Sequence, residues 1–184
     1  MGPGMVENNA AFIALGANLG KPREAFAWAL AELEAAGVEV VRVSGLWRSA
    51  AWPEGSGAPD YLNAVVKVRA GVGPEALLAL LHEVEARAGR VRGERNAPRV
   101  LDLDLVSYGD EVREGRLVLP HPRVGERAFV LLPLWEVEAG WVHPVTGEGV
   151  WEMMGRLGSV EVERVTERWR GAPIFSETAN SGGR

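Results

Sequence analysis

The chain has 184 residues, a length at which one hydrophobic core serves one domain. Hydrophobic residues make up 47% and charged residues 24%, which excludes a disordered chain; the absence of cysteine excludes a disulfide framework, a thiolate zinc site and a cysteine nucleophile. Twenty basic against 25 acidic residues leave a net charge of −5, which argues against a bulk polyanion binder, and no apolar run reaches the ~18 residues that span a bilayer. With no charged-then-apolar leader before the first strand, the expectation is a cytoplasmic, single-domain protein with no membrane or nucleic-acid partner. Of the basic residues only Lys21 and Lys67 are lysine. Arginine suits forked recognition of phosphate.

Residues 1–10 carry no periodicity and read as a loose leader, and 171–184 as a frayed tail, leaving 11–170 as the domain. Residues 11–15 are a short apolar run closed by Gly16, the pattern of a buried strand. Pro22 opens a helix in which Phe26, Leu30 and Leu33 recur at helical spacing, with Gly37 as its stop. Residues 38–47, rich in β-branched side chains, read as one strand, and 50–59 as a Pro/Gly/Ser loop. Residues 61–70 alternate, placing Leu62, Ala64, Val66 and Val68 on one face and Tyr61, Asn63, Lys67 and Arg69 on a polar one. Pro74 opens a second helix with Leu77, Leu80, Leu81 and Val84 as its stripe and Gly89 as its end. A loop over 90–99 leads into a strand over 100–108. A hairpin from Gly109-Asp110 toward 117–119 is predicted next, then a helix over 129–137 near Pro133, another over 150–157, and a last strand over 160–165. Strands arriving in pairs between helices favour a partly antiparallel α+β sandwich.

The strongest chemical signal is Leu101-Asp102-Leu103-Asp104-Leu105. On a strand, period two sends the leucines to the core and both carboxylates to the opposite face, with Cα atoms about 6.6 Å apart. Such a pair can converge on hard cations. It can equally be an ordinary solvated strand face, and a glycosyltransferase could use the same pair for a metal-bound sugar nucleotide. Context favours phosphoryl transfer: Arg90, Arg92, Arg95 and Arg99 lie just upstream in a loop with Gly93 and Pro98, a poor frame for structural ion pairs and a good one for a clamp on phosphate. The segment 16–21 (GANLGK) follows a strand and precedes a helix as a P-loop does. It is one residue short between the glycines, and Pro22 replaces the hydroxyl residue, so it reads as a tight turn. Asn63 offers a donor and an acceptor suited to the amide edge of a purine or pterin, and Tyr61 a stacking face. Taken alone, both read as surface polarity; two further readings also stand, an Arg-rich nucleic-acid module with Trp52 and Tyr61 as stacking platforms, and a nucleotide-binding regulator without transfer activity.

Five blocks together, at 12–20 (FIALGANLG), 59–63 (PDYLN), 89–95 (GRVRGER), 98–104 (PRVLDLD) and 120–129 (PHPRVGERAF), resemble the 6-hydroxymethyl-7,8-dihydropterin pyrophosphokinase family, in family order. The resemblance implies a three-layered α-β-α, ferredoxin-like α+β fold, with a mixed or antiparallel sheet and helices on both faces. It implies ATP and 6-hydroxymethyl-7,8-dihydropterin as substrates of a monomer, and two Mg²⁺ ions held by Asp102 and Asp104. By the same resemblance Arg90 and Arg99 grip the ATP phosphates, Arg92 stands at the position of a further catalytic loop arginine, Asn63 reads the pterin edge, and Tyr61 and Phe129 sandwich the ring. Ser49, Ala50 and Trp52 fall in the loop lining the pterin, and Glu85, Leu105, Val118 and His121 at positions associated with ATP. Asn96 stands where many members carry an aromatic, and Pro122 where some do.

Overall fold

Strand β1 (Ala10–Ala17) is apolar on both faces, and that organises everything around it. In the computed structural model, which describes residues 10–89, 99–165 and 169, Ala11, Ile13, Leu15 and Ala17 enter one core while Phe12 and Ala14 enter another. A strand buried on both faces reads as a continuous apolar run, as this one does. It starts one residue inside the expected leader; residues 1–9 and 171–184 lie outside the described residues.

The first core lies under α1 (Pro22–Ala35) and α2 (Pro74–Arg87). Proline stands in the first turn of each helix, where its missing N–H costs nothing. Helix α1 buries Phe26, Ala29, Leu30 and Leu33, and α2 buries Leu77, Leu81 and Val84. Each fully buried leucine or phenylalanine contributes roughly 1.5–3 kcal/mol, more than any propensity difference along these helices. Gly37 and Gly89 follow the two helices at φ +89° and +88°, the left-handed turn that a side chain would strain. Trp169 completes this core, its ring edge-on to Phe26 at 5.6 Å and its Nε1 donating to the Ser44 carbonyl at 2.8 Å.

The second core lies under α3 (Ala128–Val137) and α4 (Val150–Leu157), where Val130, Leu131, Leu134, Val137, Val150 and Met153 meet Phe12, Ala14, Val65 and Val106. Pro133 lies inside α3. Two helical layers therefore enclose one sheet, the three-layered α-β-α arrangement.

The sheet runs β5-β1-β4-β3-β6, with β2 also paired to β4. Its strands are β2 (Glu39–Val43), β3 (Leu46–Ser49), β4 (Tyr61–Arg69), β5 (Asp102–Tyr108) and β6 (Val162–Val165), and every pairing among them is antiparallel. Counting β2 and β3 as one broken strand, the order β-α-β-β-α-β with the last strand beside the first is the ferredoxin-like topology.

Three local expectations are corrected. The single strand over 38–47 is interrupted at Ser44-Gly45. There Ser44 Oγ accepts the Val65 N–H (2.9 Å), and the Gly45 N–H turns away to a carboxylate oxygen of Glu136 on α3 (2.6 Å). The hairpin arm at 117–119 reduces to one bridge between Arg113 and Leu119. The polar face of β4 is covered over much of its length, leaving Arg69 exposed at its end: Val65 joins the second core, Asn63 is 5% exposed, and Lys67 pairs with Glu138 beside the Phe12 ring. Its polar residues are polar because of what they hold. No helix among the described residues is long and apolar enough to cross a membrane.

Candidate active site

The site is built on the sheet face that carries the second core. Register brings it together. Gly16 on β1 opposes Asp102 on β5 and Asn63 on β4, and Asn63 in turn opposes Trp47 on β3. Directly opposed residues share a face, so a carboxylate and an amide flank a glycine in one row across the sheet.

Strand β5 realises the alternation expected of it. Leu103 and Leu105 are buried in the first core, and Asp102 and Asp104 stand half-buried on the other face, their side chains 21% and 36% exposed. The strand is the sheet edge, and its exposed backbone is capped: the Leu103 N–H donates to Glu85 Oε1 on α2 (2.7 Å), and the Val106 carbonyl accepts the His121 N–H (2.8 Å). Unpaired buried backbone groups would cost ~1–3 kcal/mol each, so these two bonds fix the segment carrying the acids.

Each carboxylate has an arginine. Arg99 Nη1 donates to Asp102 Oδ2 at 2.8 Å, and Arg127 Nη1 approaches Asp104 Oδ2 at 3.4 Å. Burial pushes the Asp104 carboxyl above its ordinary range, the Asp102 charge pushes it further, and His121, Arg127 and Arg99 pull it back. The His121 imidazole is pushed down by burial, with Arg127 and Arg123 adding to the shift against the pull of Asp104 and Asp102. The Tyr61 hydroxyl is raised by burial, opposed by Arg99 and supported by Asp102. These mutual influences place Asp102, Asp104, Arg99, Arg127, His121 and Tyr61 within one electrostatic neighbourhood.

Arg99 is held by its backbone as well. Its carbonyl accepts the N–H groups of Asn18 (3.0 Å) and Leu19 (3.2 Å), and its own N–H donates to Asn18 Oδ1 (2.8 Å). Asn18 Nδ2 then donates to the Pro59 carbonyl at 3.1 Å, two residues before β4. The turn at 16–21 thus spends its amides on Arg99 rather than on a phosphate. It is a clasp, not a P-loop.

Asn63 donates through Nδ2 to the Trp47 carbonyl (3.1 Å) and to Ser49 Oγ (2.9 Å). Two acceptors fix the orientation of the amide, so Oδ1 is the atom it offers outward. Phe129, on the first turn of α3, stands with the Arg127 guanidinium 5.9 Å from its ring centre. That contact ties Phe129 to the aspartates through Arg127.

Other expected site residues stand apart from this row. Ala50 is exposed and Trp52 is 69% exposed on the 50–59 loop. Glu85 and Leu105, each 4% exposed, lie on the α2 side of β5, and Val118 is 40% exposed before His121. Arg90 and Arg92 lie outside the described residues, as does Asn96. Sequence reasoning assigned no role to Arg127 or Asn18; their partners are 23 and 81 residues away, and no local pattern signals them.

The arrangement offers hard oxygen donors for a divalent cation, guanidinium groups for anions, and an amide beside an aromatic face for a planar heterocycle. Among the described residues no three His, Cys, Asp or Glu side chains form a metal cluster.

Comparison with known proteins meets this geometry. Residues 12–139 match the family described as 7,8-dihydro-6-hydroxymethylpterin-pyrophosphokinase (HPPK). The chain is 39% identical over 156 residues to a 2-amino-4-hydroxy-6-hydroxymethyldihydropteridine pyrophosphokinase of Synechocystis sp., covering 84% of this chain and 79% of the relative. It is 40% identical over 157 residues to a protein of the same name from Methylorubrum extorquens, covering 84% and 98%. The Folic acid synthesis protein fol1 of Pneumocystis carinii is 39% identical over 143 residues, 77% of this chain and 19% of that longer one. In structure, a Plasmodium falciparum HPPK-DHPS solved with pteroate superposes at a TM-score of 0.64 and 12% identity, over 80% of this chain and 42% of that one, which supports the ferredoxin-like fold. By these sequence matches, the chain belongs to the 7,8-dihydro-6-hydroxymethylpterin-pyrophosphokinase family.

Proposed function

We propose that the protein transfers pyrophosphate from ATP to 6-hydroxymethyl-7,8-dihydropterin, yielding AMP and the dihydropterin pyrophosphate, a step of folate biosynthesis. The observation that carries this reading is the row Asp102–Gly16–Asn63, which sets a cation-binding carboxylate and a heterocycle-reading amide on one face with Arg99 beside them. The pterin hydroxymethyl oxygen attacks the β-phosphorus of ATP in line and gives up its proton to solvent, the bond from that phosphorus to the oxygen bridging it to the α-phosphate breaks, and AMP leaves with that oxygen.

Asn63 presents Oδ1 to an N–H of the pterin amide edge, with Ser49 and Trp47 holding the amide in place. Tyr61 and Phe129 take the two faces of the ring, and the backbone at Ser49, Ala50 and Trp52 borders it. Arg99 neutralises phosphate charge by charge-assisted hydrogen bonds; Arg90 and Arg92 add the same chemistry from the preceding loop. Glu85, Leu105, Val118 and His121 border the nucleotide.

The residues fit Mg²⁺. Two carboxylates two residues apart are the hard donors it takes, with phosphate and water supplying the remaining positions, and Asp102 and Asp104 would hold two such ions. When bound, Mg²⁺ offsets the negative charge that spreads over the phosphates in the transition state. Arg99 and Arg127, now paired to the two acids, then become available to phosphate oxygens.

The test is one incubation of the protein with ATP, Mg²⁺ and the reduced hydroxymethylpterin, scored for AMP and the pterin pyrophosphate. AMP formed only when pterin and metal are both present supports the reading. ATP binding without pterin-dependent AMP release refutes it.

A further inference from the structure

Gly16 has no structural reason to be glycine. Its φ does not lie in the left-handed region, and it sits inside a central strand, where glycine is less favourable than alanine. A Cβ built on it would meet Asn63 Oδ1 at 3.6 Å and Tyr61 Cδ1 at 4.0 Å, ordinary contact distances that demand no shift of the fold. Its neighbour along the same face, Ala14, carries a methyl group between Asp104 and Val65 without difficulty. The space above Gly16 is therefore left open at a cost in stability, between two side chains that the proposed reaction uses.

The register says what crosses it. Asp102 and Asn63 flank Gly16 on adjacent strands, so their Cα atoms lie about two strand spacings apart, roughly 10 Å. A bicyclic heteroaromatic whose amide edge is read at Asn63 must pass over Gly16 to bring a substituent on its far ring toward Asp102. The two atoms nearest the missing Cβ belong to Asn63 and Tyr61, the residues assigned to the edge and face of that ring. We infer that Gly16 is the specificity-determining floor of the heterocycle site: the ring edge lies against its Cα, and a single methyl group there excludes the ring while leaving the nucleotide site intact. This rests on the reaction proposed above and adds the residue that sets the depth at which the pterin sits.

The experiment compares Gly16→Ala and Gly16→Ser with the wild-type protein in three measurements: pterin affinity in the presence of a non-hydrolysable MgATP analogue, affinity for that analogue alone, and thermal stability. The expected result is at least a tenfold loss of pterin affinity for Gly16→Ala and a larger loss for Gly16→Ser. Analogue affinity should stay within twofold and the melting temperature should not fall. Pterin affinity within twofold of wild type would overturn the inference. So would a parallel loss of analogue affinity, or failure of both variants to fold, since either would show that the backbone itself requires glycine. Wild-type protein that binds pterin but releases no AMP would defeat the proposed reaction, while the affinity ratio would still decide the role of Gly16.

Discussion

Glu136 offers the most informative perturbation outside the site. It lies on α3 with its side chain 4% exposed, accepting the Gly45 N–H and Arg164 Nε, both at 2.6 Å. Substituting Glu136→Ala leaves the Gly45 N–H without its acceptor in a buried position, a cost of about 1–3 kcal/mol. The Arg164 contact adds less than ~1 kcal/mol, because that side chain is 47% exposed and water can take its charge. The total is about 1–4 kcal/mol, which for a chain of this size lowers the melting temperature by roughly 2–16 °C. Glu136→Gln keeps an acceptor for Gly45 and should recover at least half of the loss. The break at Ser44-Gly45 sets the start of β3, whose Trp47 carbonyl and Ser49 hydroxyl hold the Asn63 amide, so Glu136→Ala should also raise the pterin KM more than the ATP KM. Thermal unfolding by circular dichroism and steady-state kinetics on the three proteins measure this. A Glu136→Ala melting point within 1 °C of wild type, or a glutamine variant as damaged as the alanine one, would refute the reasoning.

Asp104→Asn should abolish Mg²⁺-dependent AMP release without lowering the melting temperature, because burial and the Asp102 charge already disfavour its ionised form; near-wild-type turnover would contradict its assignment. Arg99→Ala should slow pyrophosphoryl transfer in single-turnover measurements far more than it weakens pterin binding, and the reverse pattern would make it a substrate-orienting group. His143, whose Nδ1 accepts the Val145 and Thr146 N–H groups, is pushed below its usual value by burial, against the pull of Glu148. The unfolded chain then binds the proton more readily than the folded one, so this contribution is full above about pH 6.5 and fades as pH falls through the lowered folded value. Melting curves from pH 7.5 to 5 should show a steeper decline for wild type than for His143→Asn, and parallel curves would exclude the effect.

Much of the frame is legible in the chain because it is written locally. The apolar run at 11–15, the prolines opening both long helices, and Gly37 and Gly89 closing them act within a few residues, and each finds its expected place. The same holds for Asp102 and Asp104, since period two decides the face of a side chain wherever a strand forms. What escaped local reading depends on partners far along the chain. The strand over 38–47 breaks because Glu136, 91 residues on from Gly45, supplies an acceptor that the ladder does not. Asn63 looks like a surface polar residue until α3 and α4 cover the neighbouring Val65. Arg127 lies within a family block yet shows its role only through Asp104, and Trp52, for all its stacking potential, faces solvent.

The capping of β5 has a consequence beyond catalysis. A marginal strand with free amides is a template on which a second molecule can lay down another strand, the first step toward aggregates. Here bulky cover would block the acids of that margin, which the proposed reaction needs within reach. Glu85 and the chain around His121 occupy its donor and acceptor positions instead, protecting against self-association by plugging hydrogen-bonding valences while the face above stays open to small molecules.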